Sequence, residues 1–233
     1  MTAERQREII RSLKGLSGSS GEFAAGVIPI CSEQGERLGT LEPITQAMAD
    51  DEELASALTR WRNNFAHCFF TQFKATPERT RNWLHNVVLK DDSRLLFLIH
   101  TPEGRLVGNF GICHVTPKIV EMDNLIRGET GGAKLLIHYS YLALLHWLIR
   151  TLEITQFYGR VFSDNAKSLR MHERMGFRTV SACGLTRSEP RGEIHFTPDP
   201  ASAPIPGEVN CIRMELTAAE LLENHPWLQT VHG

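Results

Sequence analysis

The stretch Leu135–Leu152, LLIHYSYLALLHWLIRTL, is apolar on nearly every face, yet it carries His138, His146 and Arg150. A helix that is hydrophobic almost all round is buried, either in a bilayer or inside a protein. Ionisable groups within it are costly at a bilayer centre. The stretch therefore predicts a helix sandwiched against a sheet, and the rest of the chain must supply strands to cover it.

The flanking sequence supplies them. Apolar runs near Val27–Cys31 and Leu38–Ile44 read as strands, and LLFLIH (95–100), the turn PEG and RLVGNFGICHV (105–115) as a hairpin. Lys118–Ile126, FYGRVF (157–162), RTVSACGL (178–185) and EVNCIRMEL (208–216) are further strands. Asp50 or Asp51 caps a helix to about Asn63, and Thr76-Pro77-Glu78 opens another with Pro in its first turn. SDNAKSLRMHERMGF (163–177) is a helix closing on Gly176, and Thr217 caps a short last one. Alternating strands and helices without an internal repeat give one α/β or α+β domain over about residues 36–216. Residues 1–35 read as an N-terminal arm: a short amphipathic helix (3–14) whose stripe is Ile9, Ile10 and Leu13, then the linker SGSSGE. That arm is either a frayed terminus or a contact with a second subunit, which makes a homodimer possible. The segment 186–206, with five prolines, reads as a long loop, and residues 217–233 as a short helix and tail.

Composition narrows the function classes. Twenty-five Lys+Arg against 27 Asp+Glu leave a formal net charge of −2, which argues against a nucleic-acid partner bound by bulk positive charge. Five scattered cysteines with no C-x-x-C pair read as reduced thiols, and no His/Cys spacing predicts a metal. The charged start lacks an apolar signal region, so the expectation is a cytoplasmic protein without a membrane partner.

Two local patterns carry chemistry. The strand ending at Ile126 runs into Arg127-Gly128-Glu129-Thr130-Gly131-Gly132-Ala133-Lys134 and then the long helix. Glycines let backbone approach a ligand, and free amides at a helix start face an anion. The pattern is neither G-x-x-x-x-G-K-[ST] nor G-x-G-x-x-G. It fits a pyrophosphate held by several amides, with Lys134 adding a cation, or an ordinary strand-to-helix turn. In the second pattern, Asn165, Ser168 and His172 recur on one helix face. That stripe is either a ligand-facing set or a capped, solvated face.

In this order, the two patterns resemble the GCN5-related N-acetyltransferase (GNAT) superfamily. The glycine loop is similar to its acyl-CoA pyrophosphate motif, although Gly128 stands where Arg or Gln would precede Gly131 by three. N-A-K-S-L-R-M-H-E-R-M-G-F is similar to its second CoA motif, with His172 in place of the usual Tyr acid. RLVGNFGI is also typical. The resemblance implies an α+β fold with a mostly antiparallel twisted sheet of about six or seven strands flanked by helices. It implies acetyl-CoA or another short acyl-CoA as co-substrate, held by Leu125, Ile126, Arg127, Gly131, Gly132, Ala133, Lys134, Asn165 and Ser168.

The segment 58–84 is similar to acceptor-side helices of members that acylate nucleotide-linked amino sugars, and to those of ribosomal-protein N-terminal acetyltransferases. Weighting the sugar branch higher makes Trp61, Arg62, Asn63 and Phe70 substrate-binding candidates, since aromatics stack on rings while an arginine holds a diphosphate. The implied reaction is direct attack of a substrate amine on an acyl-CoA thioester. Glu121 and Asp123 share a strand face, and paired carboxylates raise one another's pKa, which suits a general base. His172 or water would be the acid, and Asn124 the oxyanion donor on the acceptor side. Acylation of protein amino groups and non-catalytic acyl-CoA binding are the alternatives.

Overall fold

The computed structural model describes residues 1–15 and 26–231, so the linker SGSSGE lies outside the described residues. Its elements, in chain order, are α1 (Ala3–Leu13), β1 (Ile28–Cys31), β2 (Arg37–Pro43), α2 (Glu52–Asn64), β3 (Thr71–Gln72), α3 (Pro77–Trp83), β4 (Leu95–His100), β5 (Leu106–Cys113), β6 (Ile119–Arg127), α4 (Leu136–Leu152), β7 (Gln156–Phe162), α5 (Ala166–Met175), β8 (Arg178–Ser188), β9 (Ile194–Asp199), β10 (Cys211–Thr217), α6 (Ala218–Asn224) and α7 (Leu228–Val231). The ten strands form one sheet in the order β1-β2-β4-β5-β6-β7-β10-β8-β9-β3. Every described neighbour pair is antiparallel except β6 with β7. The class is the expected α+β, with more strands than expected.

Strand alternation explains why LLFLIH has no polar side. Leu95, Phe97 and Ile99 join the core beneath α4, while Leu96 and Leu98 join a second cluster beneath α2, with Leu54, Leu58 and Trp61. The long apolar helix is buried as expected: Tyr141, Leu144, Leu145, Leu148 and Leu152 are each fully enclosed. Among the described residues, no helix is long and apolar enough to cross a membrane.

Two expectations are corrected. The N-terminal helix is not peripheral: Ile9, Ile10 and Leu13 lie in the main core. Gln6 Nε2 donates to Leu152 O at 2.6 Å, satisfying a carbonyl at the end of α4, and buried Lys14 Nζ donates to Asp91 O at 2.7 Å. The segment 186–206 is not one long loop either. β8 continues to Ser188 and turns back as β9, with Gly184 opposite Asp199 and Ser188 opposite His195. Pro198 lies beyond the two-residue pairing of β9 with β3, where β9 has no outer strand among the described residues and a missing N–H is tolerated.

Candidate active site

The parallel pair β6/β7 joins only at Ile119–Gln156, Val120–Phe157 and Glu121–Tyr158. Beyond that point β6 continues along β5 to Arg127, and β7 along β10 to Phe162. Among the described residues, the facing edges of the two strands have no strand partner there. The cause lies in β6: three steps from Asp123 to Ile126 oppose two from Gly111 to Asn109, and Asn124 takes φ 51°. Such a bulge bends its strand. Asn109 Nδ2 donates to Asn124 O at 2.5 Å and Asn124 Nδ2 to Asp123 Oδ2 at 2.7 Å, so the bulge is pinned from both sides. Asn124, expected to donate to an oxyanion, has its amide on Asp123 instead. Leu125 packs on the main core and Ile126 on the α2 cluster, because the extra residue reverses the strand's parity.

At the open end of the split lies the glycine loop. Gly131 and Gly132 take φ 124° and 68°, conformations that favour glycine. Arg127 curls the loop by donating Nη2 to Gly131 O at 3.0 Å. The N-cap of α4, Leu135, offers no side-chain hydrogen bond, so the amides of the loop and first turn keep no side-chain cap. Ala133 and exposed Lys134 lead directly into them. This is an amide-lined turn fit for an anion. Trp61 does not face a substrate: it is buried, donates Nε1 to Glu129 Oε1 at 2.9 Å, and lies flat against Gly128. A Cβ at Gly128 would meet its ring at 2.0 Å, which explains the glycine. Arg60 also pairs with Glu129.

Glu121 and Asp123 do share the α2 face of β6, but each has its own guanidinium. Arg160 donates Nε and Nη2 to the two Glu121 oxygens at 2.7 and 2.9 Å, and His114 Nδ1 lies 2.8 Å from Oε2. Arg94 donates to Asp123 Oδ2 at 2.7 Å. Burial alone would raise the Glu121 carboxyl, yet the bonds and charge of Arg160, with those of His114, outweigh it and hold Glu121 below its ordinary value. The mutual elevation expected of the two acids is therefore reversed for Glu121, which is a fixed carboxylate and a poor base. Tyr158, beside it, is pushed up to about 12 by burial and the nearby carboxylate.

His172 is on the other face of the sheet. Asn165 is the N-cap of α5, accepting from Ser168 N at 3.2 Å, and Ser168 O lies 2.9 Å from His172 Nδ1. Since a carbonyl only accepts, Nδ1 carries the proton. Nε2 is left as a lone pair with no partner, against Gly159, the first residue past the β6/β7 pairing. Burial lowers the imidazole pKa. The neutral ring at this point is an acceptor, so the expectation that His172 donates a proton to a departing thiolate is corrected.

The acceptor-side candidates divide. Asn63 is structural, bonding Ala75 N and O at 2.8 and 3.1 Å. Phe70 packs on Phe162 with centroids 4.5 Å apart. Arg62 is different. It lies 3.5 Å from the Phe69 ring centroid and donates to Thr71 O at 2.7 Å, with no carboxylate bonded to it among the described residues. Burial draws its guanidinium down to about 10, partly offset by Asp123. Sequence reasoning missed Arg160, Arg94 and His114. Parity places Arg160 and Tyr158 on one face of FYGRVF, but nothing local says that β7 lies beside β6.

A split sheet facing a glycine turn at a helix start is a site fit for an extended ligand that ends in an anion. The family model described as "Acetyltransferase (GNAT) domain" matches residues 40–178, and the chain belongs to that family. It is an acyl-CoA-dependent N-acyltransferase. No curated protein gives a significant sequence match. Among solved structures, a spermidine N-acetyltransferase from Vibrio cholerae, in complex with CoA and spermine, is 14% identical with TM-score 0.59, covering 79% of this chain and 98% of its own. A GCN5-related N-acetyltransferase from Brucella melitensis is 18% identical with TM-score 0.60, covering 83% and 81%. FdhC, described as a nucleotide-linked sugar GNAT, is 17% identical with TM-score 0.58, covering 84% and 96%. At these identities the likeness is one of fold.

Proposed function

We propose that this enzyme acylates the amine of a small acceptor carrying an anionic group, best matched by a nucleotide-linked amino sugar. The observation that carries this reading is Arg62: a guanidinium drawn into the protein without a carboxylate bonded to it, on the same side as Asp123. A half-buried cation of this kind gains most from an anion of the substrate. Arg94 and Arg160 are matched by Asp123 and Glu121, so Arg62 is the cation of this wall without a bonded carboxylate among the described residues, and a polyamine would bring it only further positive charge.

In this reading the amides of Gly131, Gly132, Ala133 and Lys134, with the start of α4, take the pyrophosphate of the co-substrate. The unpaired edge of β6 beyond Glu121 holds its extended arm. Acyl-CoA supplies the activated thioester carbonyl. Asp123 turns Oδ2 to Arg94 and Asn124, leaving Oδ1 to orient the acceptor amine and take its proton, directly or through water. Glu121, locked by Arg160, keeps Arg160 and Tyr158 in place. Asn165 and Ser168 set the tautomer of His172.

Thiol release from acetyl-CoA, measured with a panel of amines, tests the proposal. Turnover with nucleotide-linked amino sugars and none with spermidine is expected. Preference for spermidine or for a peptide amine would overturn the acceptor assignment, and no thiol release with any amine would overturn the catalytic one.

A further inference from the structure

On the β5/β6 pair, next to where the sheet splits, three side chains of different chemistry converge. Cys113 Sγ lies 3.6 Å from His114 Nδ1 and 3.8 Å from Glu121 Oε2, and these last two atoms are 2.8 Å apart. Cys113 and Glu121 are buried and directly opposite one another, whereas the His114 side chain is 56% exposed. His114 has φ 53°, an uncommon conformation for a residue with a Cβ, and it turns the ring back over Glu121.

The sulfur contacts are long for hydrogen bonds but close to the edges of a metal-centred tetrahedron. Bond lengths of about 2.3 Å to sulfur and 2.0–2.1 Å to nitrogen and oxygen give S···N and S···O edges of about 3.5 Å and an N···O edge of about 3.3 Å. Only the His114–Glu121 separation has to widen, by about half an ångström on the same bond lengths. Arg160 grips both oxygens of Glu121 and fixes the carboxylate plane, the part an outer partner plays for a metal-bound carboxylate.

We propose that Cys113, His114 and Glu121 form a site for one borderline transition-metal ion of the Zn2+ class, with its remaining position towards solvent. Thiolate, imidazole and carboxylate together select such an ion over Mg2+ or Ca2+. Binding balances as M2+ plus the Cys113 thiol giving the metal thiolate and one released proton. The His114 proton moves to Nε2, so Nδ1 can ligate. The site stands apart from the acceptor assignment, since it rests on these three donors alone.

Cobalt(II) titration of the metal-stripped full chain tests it by absorption. One equivalent is expected to give a near-ultraviolet thiolate charge-transfer band with the visible bands of a tetrahedral centre, bleached by Zn2+ and untouched by excess Mg2+. Cys113→Ser should abolish the near-ultraviolet band. His114→Ala, at an exposed position, should weaken binding by at least about tenfold and serves as the test if Cys113→Ser fails to fold. The opposed pair Cys183 and Cys211 is the rival thiol source, so Cys183→Ser should leave the band unchanged. No charge-transfer band at millimolar cobalt, a band surviving in folded Cys113→Ser, an unchanged affinity in His114→Ala, or a band lost with Cys183→Ser would overturn the proposal.

Discussion

Arg160→Met is the perturbation whose outcome the structure specifies most fully. It removes two hydrogen bonds of 2.7 and 2.9 Å from Glu121, whose side chain is 7% exposed, and leaves a buried carboxylate facing His114, Tyr158 and the Cys113 thiol with no paired guanidinium. Breaking a buried pair in this way costs about 3–5 kcal/mol. The Arg160 side chain is 36% exposed, so water screens part of the interaction, and about 2–3 kcal/mol is the working figure. For a chain of this length that is a fall in Tm of about 4–12 °C. The pH dependence gives a second, independent signature. In the wild type Glu121 titrates below its ordinary value, so its contribution is present above the unfolded pKa and is lost as pH falls through the folded one. In the variant burial is no longer outweighed and the folded pKa rises. The destabilisation is then largest at neutral pH and shrinks as the pH falls through that raised value. Urea unfolding of both proteins at pH 7.5 and pH 5 reads this directly. Glu121→Gln in the Arg160→Met background should restore about 1–2 kcal/mol, because the stranded charge is gone. A loss below about 0.5 kcal/mol, or one of equal size at both pH values, would refute the reasoning.

Gly128→Ala drives a Cβ to 2.0–2.3 Å from three ring atoms of Trp61, so it should cost about 1–3 kcal/mol and raise KM for acyl-CoA, measured by thermal melts and initial rates. Gly159→Ala places a Cβ 2.5 Å from His172 Nε2 in a packed interior, so it should cost about 1–3 kcal/mol of stability, read in thermal melts. Burial lowers Lys14 to about 8, below its unfolded value near 10.4, so the unfolded chain holds the extra proton between them. Stability should therefore rise with pH across that window, a slope that Lys14→Met flattens in denaturant titrations.

What the sequence reveals and what it hides divide along local and non-local lines. The buried helix α4, the β4–β5 hairpin, the cap at Asp51 and the stop at Gly176 are written in periodicity and capping residues, and the structure has all of them. The β8–β9 hairpin was hidden because its proline and charged tip mimic a loop, and β3 because two residues carry no period. The place of α1 was hidden as well, since a stripe of three apolar residues reads alike on a loose arm and on a core helix. Within the site, strand parity puts Glu121 and Asp123 on one face. Their guanidinium partners come from β7 and from the residue before β4, 39 residues on and 29 residues back in the chain, beyond any local pattern. Distance in sequence likewise turns Trp61 from an acceptor contact into the wall behind Gly128, whereas Asn165, Ser168 and His172 lie on one helix, where the Ser168 carbonyl fixes the tautomer of His172.

The central claim is that Arg62 pairs with an anionic group on the acceptor, and one kinetic comparison tests it most directly. kcat/KM is measured for wild type and Arg62→Met with a nucleotide-linked amino sugar and with the same amino sugar lacking its nucleotide. Loss of one partner of a desolvated charge pair costs about 2–5 kcal/mol, so the variant should fall by about 30-fold or more on the nucleotide-linked acceptor and by less than about threefold on the neutral one. Equal losses on both acceptors would contradict the account.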